Sequence, residues 1–257
     1  MVHFVGAGPG APDLITIRGQ KFLREADVII YAGSLVNPEL LSMVKENCEI
    51  HNSAKMNLEE VMEVMERSEE KGLMTVRLHT GDPCLYGAVR EQMDLLDKKG
   101  IAYDSCPGVS SFCGAAAALN LEYTLPDVSQ SVVITRMAGR TPVPEKESIA
   151  SYAKHGSTMV LFLSTGLLDK ATEELLLGGY KKDTPAAIVY KATWPEEETY
   201  VCTVGTLVRT AREHNITKTA LILVGDVVLH NHYERSKLYN PSFTTEYRKG
   251  SDEEDLK

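Results

Sequence analysis

Short apolar runs alternate with amphipathic segments along the first half of the chain. The runs that predict buried strands are Val2–Val5, Val28–Tyr31, Met74–His79 and Ile101–Cys106. The segments that predict helices are Thr16–Asp27, Asn57–Lys71, Leu85–Lys99 and Val109–Asn120. Asn57 and Glu60 are spaced as an N-cap and its N3 acid. Because strands that alternate with helices form a mostly parallel sheet with helices on its faces, we predict an α/β fold.

A break in this pattern near residues 121–130 predicts a second domain. Pro126 and Asp127 interrupt the chain, and new strand-like runs follow them. These runs are Ser131–Arg136, Met159–Leu163, Ala186–Tyr190 and Ala220–Val224. We therefore expect an N-terminal α/β domain over residues 1–115, a C-terminal α/β domain over 125–230 and a polar, loosely ordered tail over 231–257.

Composition narrows the classes of protein. The chain has 257 residues, 36 acidic against 27 basic side chains and a net charge of -9, which disfavours a nucleic-acid-coating protein. It offers no apolar run of about 18 residues for a membrane span and no basic start of a signal peptide. Five cysteines without a C-x-x-C pair predict reduced thiols in the cytoplasm. We expect His230 and His232 to be solvated and the protein to hold no metal.

The first glycine loop follows the first predicted strand. Gly-Ala-Gly-Pro-Gly-Ala at 6–11 formally satisfies the G-x-G-x-x-G/A dinucleotide fingerprint. Two features disfavour a nicotinamide cofactor. Pro9 has no N–H to offer a phosphate, and no acid for the ribose follows the second strand, where the sequence reads Ala32-Gly33-Ser34.

Two further loops follow predicted strands, at the carboxyl edge where open α/β sheets bind ligands. One is His-Thr-Gly-Asp-Pro at 79–83, which brings backbone and one carboxylate to that edge. The other is Pro-Gly-Val-Ser-Ser at 107–111. The alternatives are structural: Asp82 as the cap of an ordinary turn, and the serines as caps of the following helix.

The three loops together resemble the tetrapyrrole methylase family, which uses S-adenosylmethionine. The resemblance rests on residues 6–16, on Thr-Gly-Asp-Pro at 80–83 with Tyr86-Gly87, and on residues 107–111. It extends from about Val2 to Val228. Residues 135–145 and 189–195 resemble the branch that methylates carbon-11 of precorrin-4 or cobalt-precorrin-4 in cobalamin biosynthesis. The implied fold has two α/β domains that form a trough, with the cofactor at their junction.

The resemblance also implies site residues. Those implied to bind S-adenosylmethionine, or S-adenosylhomocysteine as product, are Pro9, Gly81, Asp82, Leu85, Ser110, Ser111, Leu163, Ala192, Ala220 and Leu221. A position in the core of a strand is the alternative for Leu163 and Leu221. The tetrapyrrole substrate carries many carboxylates, so we expect it to contact basic side chains, with Arg136, Arg140 and Lys191 as candidates. Asp82 and His79 are the candidates for a general base, and a structural hydrogen bond is the alternative for His79. The family implies a homodimer.

Other functions stay open at this stage. Within the family, the alternative is a methylase for another ring carbon, or for uroporphyrinogen or precorrin-2. More distant relatives methylate a translation factor or ribosomal RNA, which the acidic charge and residues 136–145 disfavour. Outside the family, the alternatives are a nicotinamide dehydrogenase and a non-catalytic corrinoid carrier. The dehydrogenase lacks its ribose acid here, and a carrier has no use for a Gly81-Asp82-Pro83 loop.

Overall fold

The computed structural model describes residues 1–231 and 233–251. His232 and the end of the predicted tail lie outside the described residues. The chain divides into two compact units, the first made of residues 1–119 and 189–198, the second of residues 120–188 and 199–257. Each unit carries one five-stranded sheet, which confirms the predicted α/β class with two α/β units. None of the helices in the described part of the chain has the length and apolarity needed to cross a membrane.

The first sheet is parallel at each of its strand pairs. Its strands are β1 (Val2–Gly6), β2 (Val28–Tyr31), β3 (Glu49–Asn52), β4 (Thr75–His79) and β5 (Tyr103–Cys106). They lie in the order β3-β2-β4-β1-β5. The helices of this unit are α1 (Ile17–Glu25), α2 (Leu58–Glu70), α3 (Arg90–Lys99) and α4 (Ser111–Ala118). The predicted cap of α2 is confirmed, because Asn57 and Glu60 form a reciprocal capping box.

Alternation along the strands builds a core on each face of this sheet. On one face, Val5 and Leu78 pack with Leu23 of α1. On the other face, Phe4 packs with Met65 of α2 and Leu96 of α3. Because both faces are covered, the sheet leaves its strand ends as the places where loops and ligands meet.

The second sheet is mixed. Its strands are β6 (Val132–Arg136), β7 (Thr158–Phe162), β8 (Pro185–Tyr190), β9 (Glu198–Thr203) and β10 (Ala220–Val224). They lie in the order β6-β7-β10-β8-β9. The pair β6–β7 is parallel and the pair β7–β10 is antiparallel, which departs from the mostly parallel pattern predicted from the first half. The helices here are α5 (Ile149–Ala153), α6 (Leu168–Leu177) and α7 (Leu207–Glu213).

One predicted helix begins at the wrong residue. The sequence pattern places its start at Leu85, whereas α3 begins at Arg90. A tight turn occupies the intervening residues: Tyr86 and Ala88 have φ of 57° and 50°, and a Cβ on Gly87 would lie 2.3 Å from the carbonyl oxygen of Pro83. Left-handed backbone at two residues ends any continuous right-handed helix.

Candidate functional site

The three glycine loops meet at the carboxyl edge of the first sheet, where β1, β4 and β5 end side by side. The Ala7 N–H donates to the carbonyl of His79 at 2.7 Å, and the Gly81 N–H donates to the carbonyl of Gly8 at 2.8 Å. A Cβ on Gly6 would lie 2.6 Å from both Gly108 Cα and the Gly81 oxygen. Glycine is therefore required for the three backbones to approach this closely.

The Asp82 carboxylate joins two of these loops. Its Oδ2 accepts a hydrogen bond from the Gly108 N–H at 2.9 Å, and its Oδ1 accepts one from the Cys84 N–H at 2.8 Å. Burial alone would raise the pKa of Asp82, but the hydrogen bonds from Cys84 and Gly108 outweigh it and lower that pKa. Asp82 is thus an ionised bridge between loops, and its lowered pKa makes the carboxylate a weak proton acceptor.

The two serines of the third loop lie beside Gly81. A Cβ on Gly81 would lie 3.4 Å from the Ser111 N and 3.5 Å from the Ser110 Cα. Ser110 is buried at the N-cap position of α4, yet its side chain makes no capping hydrogen bond. Leu85 follows in the turn after Asp82, with its N–H donating to the Asp82 carbonyl at 3.3 Å. Four of the predicted cofactor residues are therefore brought together with Asp82 at this edge.

Residues from a distant part of the sequence support the first glycine loop. The Ala11 N–H donates to Thr193 Oγ1 at 3.0 Å, and Trp194 Nε1 donates to the Pro9 carbonyl at 3.2 Å. From the other direction, the buried Asn37 side chain donates to the Gly10 carbonyl at 2.9 Å. Asn37 and Thr193 were not predicted as contacts of the loop, because no local sequence pattern marks a contact over 27 or 182 residues.

Pro9 and Ala192, also predicted to bind cofactor, belong to the same region. Pro9 packs on α4, where a Cβ on Gly114 would lie 3.0 Å from Pro9 Cβ and 3.1 Å from Thr193 Cγ2. Ala192 is buried between Lys191 and Thr193. Those two neighbours have φ of 45° and 69°, a backbone conformation that residues other than glycine rarely adopt. Backbone strain of this kind concentrates at ligand-binding segments.

His79 is buried at the end of β4. Its pKa is lowered to about 3 by burial and then by the nearby Arg77 charge, so the imidazole is neutral at pH 7. Its Nε2 is buried without a hydrogen-bond partner, and its ring stacks on Phe4 with centroids 6.5 Å apart. The low pKa and the burial disfavour His79 as a general base.

The remaining predicted cofactor residues lie in the second unit. Leu163 follows β7 with φ of 51° and is 63% exposed, which is unusual for a large apolar side chain. Ala220 and Leu221 are buried at the start of β10. The antiparallel register, Ile222 beside Leu161, brings Leu163 and Ala220 to the same sheet edge. Exposure favours a ligand contact for Leu163, and burial favours a core role for Leu221.

The three predicted substrate cations differ in their surroundings. The Arg136 guanidinium donates to three carbonyls of the loop that follows it, including Pro142 at 2.7 Å. Arg140, near the tip of that loop, is exposed. Lys191, in the first unit, pairs with Glu196 at 3.2 Å and lies 5.6 Å from the Trp194 ring centroid. Of the three, Arg140 has the environment best suited to an external carboxylate.

The site has no metal-binding character in the part of the chain that the structure describes: no group of three or more His, Cys, Asp or Glu side chains is placed to hold an ion. The five cysteines are free thiols.

Comparisons with known proteins give this geometry a context. The chain is 53% identical to a cobalt-precorrin-4 C(11)-methyltransferase of Methanocaldococcus jannaschii, over 96% of both chains. It is 42% identical to a precorrin-4 C(11)-methyltransferase of Pseudomonas aeruginosa, over 97% of this chain and 99% of that protein. A solved cobalt precorrin-4 methyltransferase superposes with a TM-score of 0.86 at 46% identity, covering 88% of this chain and 95% of the other.

A second solved structure, at 25% identity, has the same fold. It is a uroporphyrin-III C-methyltransferase from Thermus thermophilus, complexed with S-adenosyl homocysteine, with a TM-score of 0.76 over 89% of this chain and 99% of that one. The family model described as Tetrapyrrole (Corrin/Porphyrin) Methylases matches residues 1–208. These matches confirm the resemblance carried by the glycine loops, and the chain belongs to the tetrapyrrole methylase family.

Proposed function

We propose that this protein transfers the methyl group of S-adenosylmethionine to carbon-11 of cobalt-precorrin-4 in cobalamin biosynthesis. One observation carries the choice of substrate: 53% identity to a cobalt-precorrin-4 C(11)-methyltransferase extends over 96% of both chains. A second relative of that name, from Priestia megaterium, is 46% identical over 97% of this chain. Precorrin-4 without cobalt is the second candidate substrate, because a relative at 42% identity is named a precorrin-4 C(11)-methyltransferase.

The loops at the edge of the first sheet support the proposal of an S-adenosylmethionine site. A side chain at Gly6 or Gly108 would clash with the backbone of a neighbouring loop, so the loops pack backbone against backbone and hold one another in place. Ser110 is a buried residue whose side chain does not cap α4, and its hydroxyl is the polar group that we propose for the ligand at this edge. We propose that Pro9, Gly81, Leu85, Ser110, Ser111 and Ala192 of the first unit contact the cofactor.

The chemistry asks the protein mainly for positioning. Bound S-adenosylmethionine supplies an already activated sulfonium methyl group. The glycine loops hold it in one orientation, and correct alignment of two reactants accounts for about 7–11 kcal/mol of barrier reduction in favourable cases. Asp82 contributes by fixing the second loop to the third. The pKa values of both Asp82 and His79 are lowered, so each side chain is a weak proton acceptor near neutral pH.

The substrate side of the site needs positive charge. The net charge of -9 would repel a polycarboxylate, so local cations must offset it. We propose that Arg140 binds a substrate carboxylate and that Arg136 shapes the loop that presents it. Lys191 forms an ion pair with Glu196 and lies over the Trp194 ring, so its charge is engaged within the first unit.

The alternative is a methylase of another tetrapyrrole. A uroporphyrinogen-III C-methyltransferase of Bacillus subtilis is 33% identical over 91% of this chain. Its lower identity ranks it second. We further propose that the protein works as a homodimer in the cytoplasm, which sedimentation of the pure protein and cell fractionation test.

The deciding experiment is anaerobic incubation with cobalt-precorrin-4 and methyl-labelled S-adenosylmethionine. Mass spectrometry counts the added methyl groups, and carbon NMR places the label on the ring. We expect one new methyl group at carbon-11. Transfer to uroporphyrinogen III and not to cobalt-precorrin-4 would support the alternative and contradict the proposal.

A further inference from the structure

Thr193 and Trp194 make an unusual set of contacts with the first glycine loop. They lie in residues 189–198, which connect β8 to β9 of the second sheet and yet pack with the first unit. This short segment contributes both a hydrogen-bond acceptor and a hydrogen-bond donor to the loop. The loop also closes on the ring: a Cβ on Gly10 would lie 2.2 Å from Trp194 Cδ1.

The segment is itself held under strain. Thr193 is β-branched and has φ of 69°, a backbone conformation that such residues rarely adopt. Its N–H donates to Glu197 Oε2, and the neighbouring Lys191 pairs with Glu196 and lies over the Trp194 ring. Contacts within residues 191–197 therefore maintain one turn, and from it Thr193 and Trp194 contact the first glycine loop while Thr193 also faces α4.

We propose that Thr193 and Trp194 are positioning residues that hold the first glycine loop in the shape that binds S-adenosylmethionine. This inference rests on the proposed function. The contacts end on Pro9, Gly10 and Ala11, the part of the loop nearest the predicted cofactor contact at Pro9. Pro9 can offer no N–H, so the loop depends on its carbonyls and on neighbouring groups for its conformation.

The first test compares three variants by titration calorimetry with S-adenosylhomocysteine. Thr193→Val keeps the β-branched shape and removes the acceptor for the Ala11 N–H. Thr193→Ser keeps the acceptor. We expect Thr193→Val to raise Kd about 3–10-fold, the value of one hydrogen bond, and Thr193→Ser to stay within about 2-fold of the parent protein. Trp194→Phe removes the bond to the Pro9 carbonyl, and we expect a similar rise.

Steady-state kinetics and a control separate positioning from general stability. We expect KM for S-adenosylmethionine to rise with Kd in Thr193→Val, while kcat at saturation changes less than about 2-fold. The control is Ser148→Ala, which removes the N-cap of α5 in the second unit and leaves the loop contacts intact. We expect it to lower stability and leave Kd unchanged.

Trp194 also provides a readout in the unmodified protein, because it is the single tryptophan of the chain. We expect S-adenosylhomocysteine to change its emission with the same midpoint that calorimetry gives.

The outcomes are distinguishable. A parent protein that fails to bind S-adenosylhomocysteine would contradict the proposed function itself. A parent that binds, with Thr193→Val and Trp194→Phe binding equally well, would overturn the positioning role alone. Equal losses of S-adenosylhomocysteine affinity in Thr193→Val and Thr193→Ser would also overturn it. So would a tryptophan emission that does not change when the ligand binds.

Discussion

At the scale of single residues, Asp82 joins the second glycine loop to the third. The sequence predicts a carboxylate that meets the ligand, whereas the structure shows both of its oxygens accepting backbone N–H groups. Asp82→Asn retains one acceptor oxygen, so one N–H at a loop junction loses its partner. We expect a loss of about 1–3 kcal/mol in the free energy of unfolding by urea, and weaker binding of S-adenosylhomocysteine in calorimetry.

The exposed Asp183 provides the control for this prediction, since Asp183→Asn removes the same charge far along the chain from the loops. We expect it to alter stability by less than about 0.5 kcal/mol. If Asp82→Asn matched this control in both urea unfolding and S-adenosylhomocysteine binding, the bridge between the loops would contribute to neither stability nor binding.

At the scale of elements, the turn between β4 and α3 is set by backbone crowding. Gly87→Ala would place a Cβ 2.3 Å from the carbonyl oxygen of Pro83, and the three nearest atoms are all backbone of Pro83, which cannot move aside as a flexible side chain can. We expect about 1–3 kcal/mol of destabilisation and weaker S-adenosylhomocysteine binding, because the turn also carries Leu85. Thermal unfolding and calorimetry measure the two effects.

The matched control is Gly166→Ala, whose new Cβ would have the Thr217 oxygen at 3.7 Å, an ordinary contact. It should leave the unfolding midpoint nearly unchanged. Equal behaviour of the two alanine variants would show that the turn relaxes freely.

The same turn shows where prediction from sequence succeeds and where it fails at this scale. β2 has the predicted bounds, Val28–Tyr31, because a continuous apolar run is a local signal. The predicted start of α3 is wrong. The residues from Leu85 onward have the apolar spacing of a helix, but the close packing of Gly87 on Pro83 imposes a tight turn there instead. The edge strand β9 was not predicted, because half of its residues are exposed and none is fully buried, so it lacks the apolar pattern of a core strand.

At the scale of the whole molecule, the chain order and the spatial units differ. The glycine loops are recognisable in the sequence because backbones can approach this closely only at glycine. Residues 189–195 are marked in the sequence only by the family resemblance, and no local pattern shows that residues 189–198 pack with the first unit, where Thr193 contacts Ala11 across 182 positions. The motifs thus predict the cofactor edge, while the contacts that shape it depend on tertiary structure.

The response of global stability to pH is set in part by His79. Its folded pKa of about 3 lies below the ordinary value of 6.5, so the unfolded chain binds more protons between these values. The stability it contributes is complete above pH 6.5 and falls as pH falls towards 3. Between pH 7 and pH 5 the loss amounts to about 2 kcal/mol. Asp82, whose pKa is lowered, acts in a separate window below about pH 4.

Urea unfolding at pH 7, 6 and 5 tests this prediction in the parent protein and in His79→Gln. We expect the parent to lose about 2 kcal/mol more than the variant over this range, because glutamine takes up no proton. His155→Gln, at an exposed position, should follow the parent curve. Parallel curves for the parent and His79→Gln would mean that the imidazole gains water or a hydrogen-bond partner on protonation, and that its burial imposes no cost in acid.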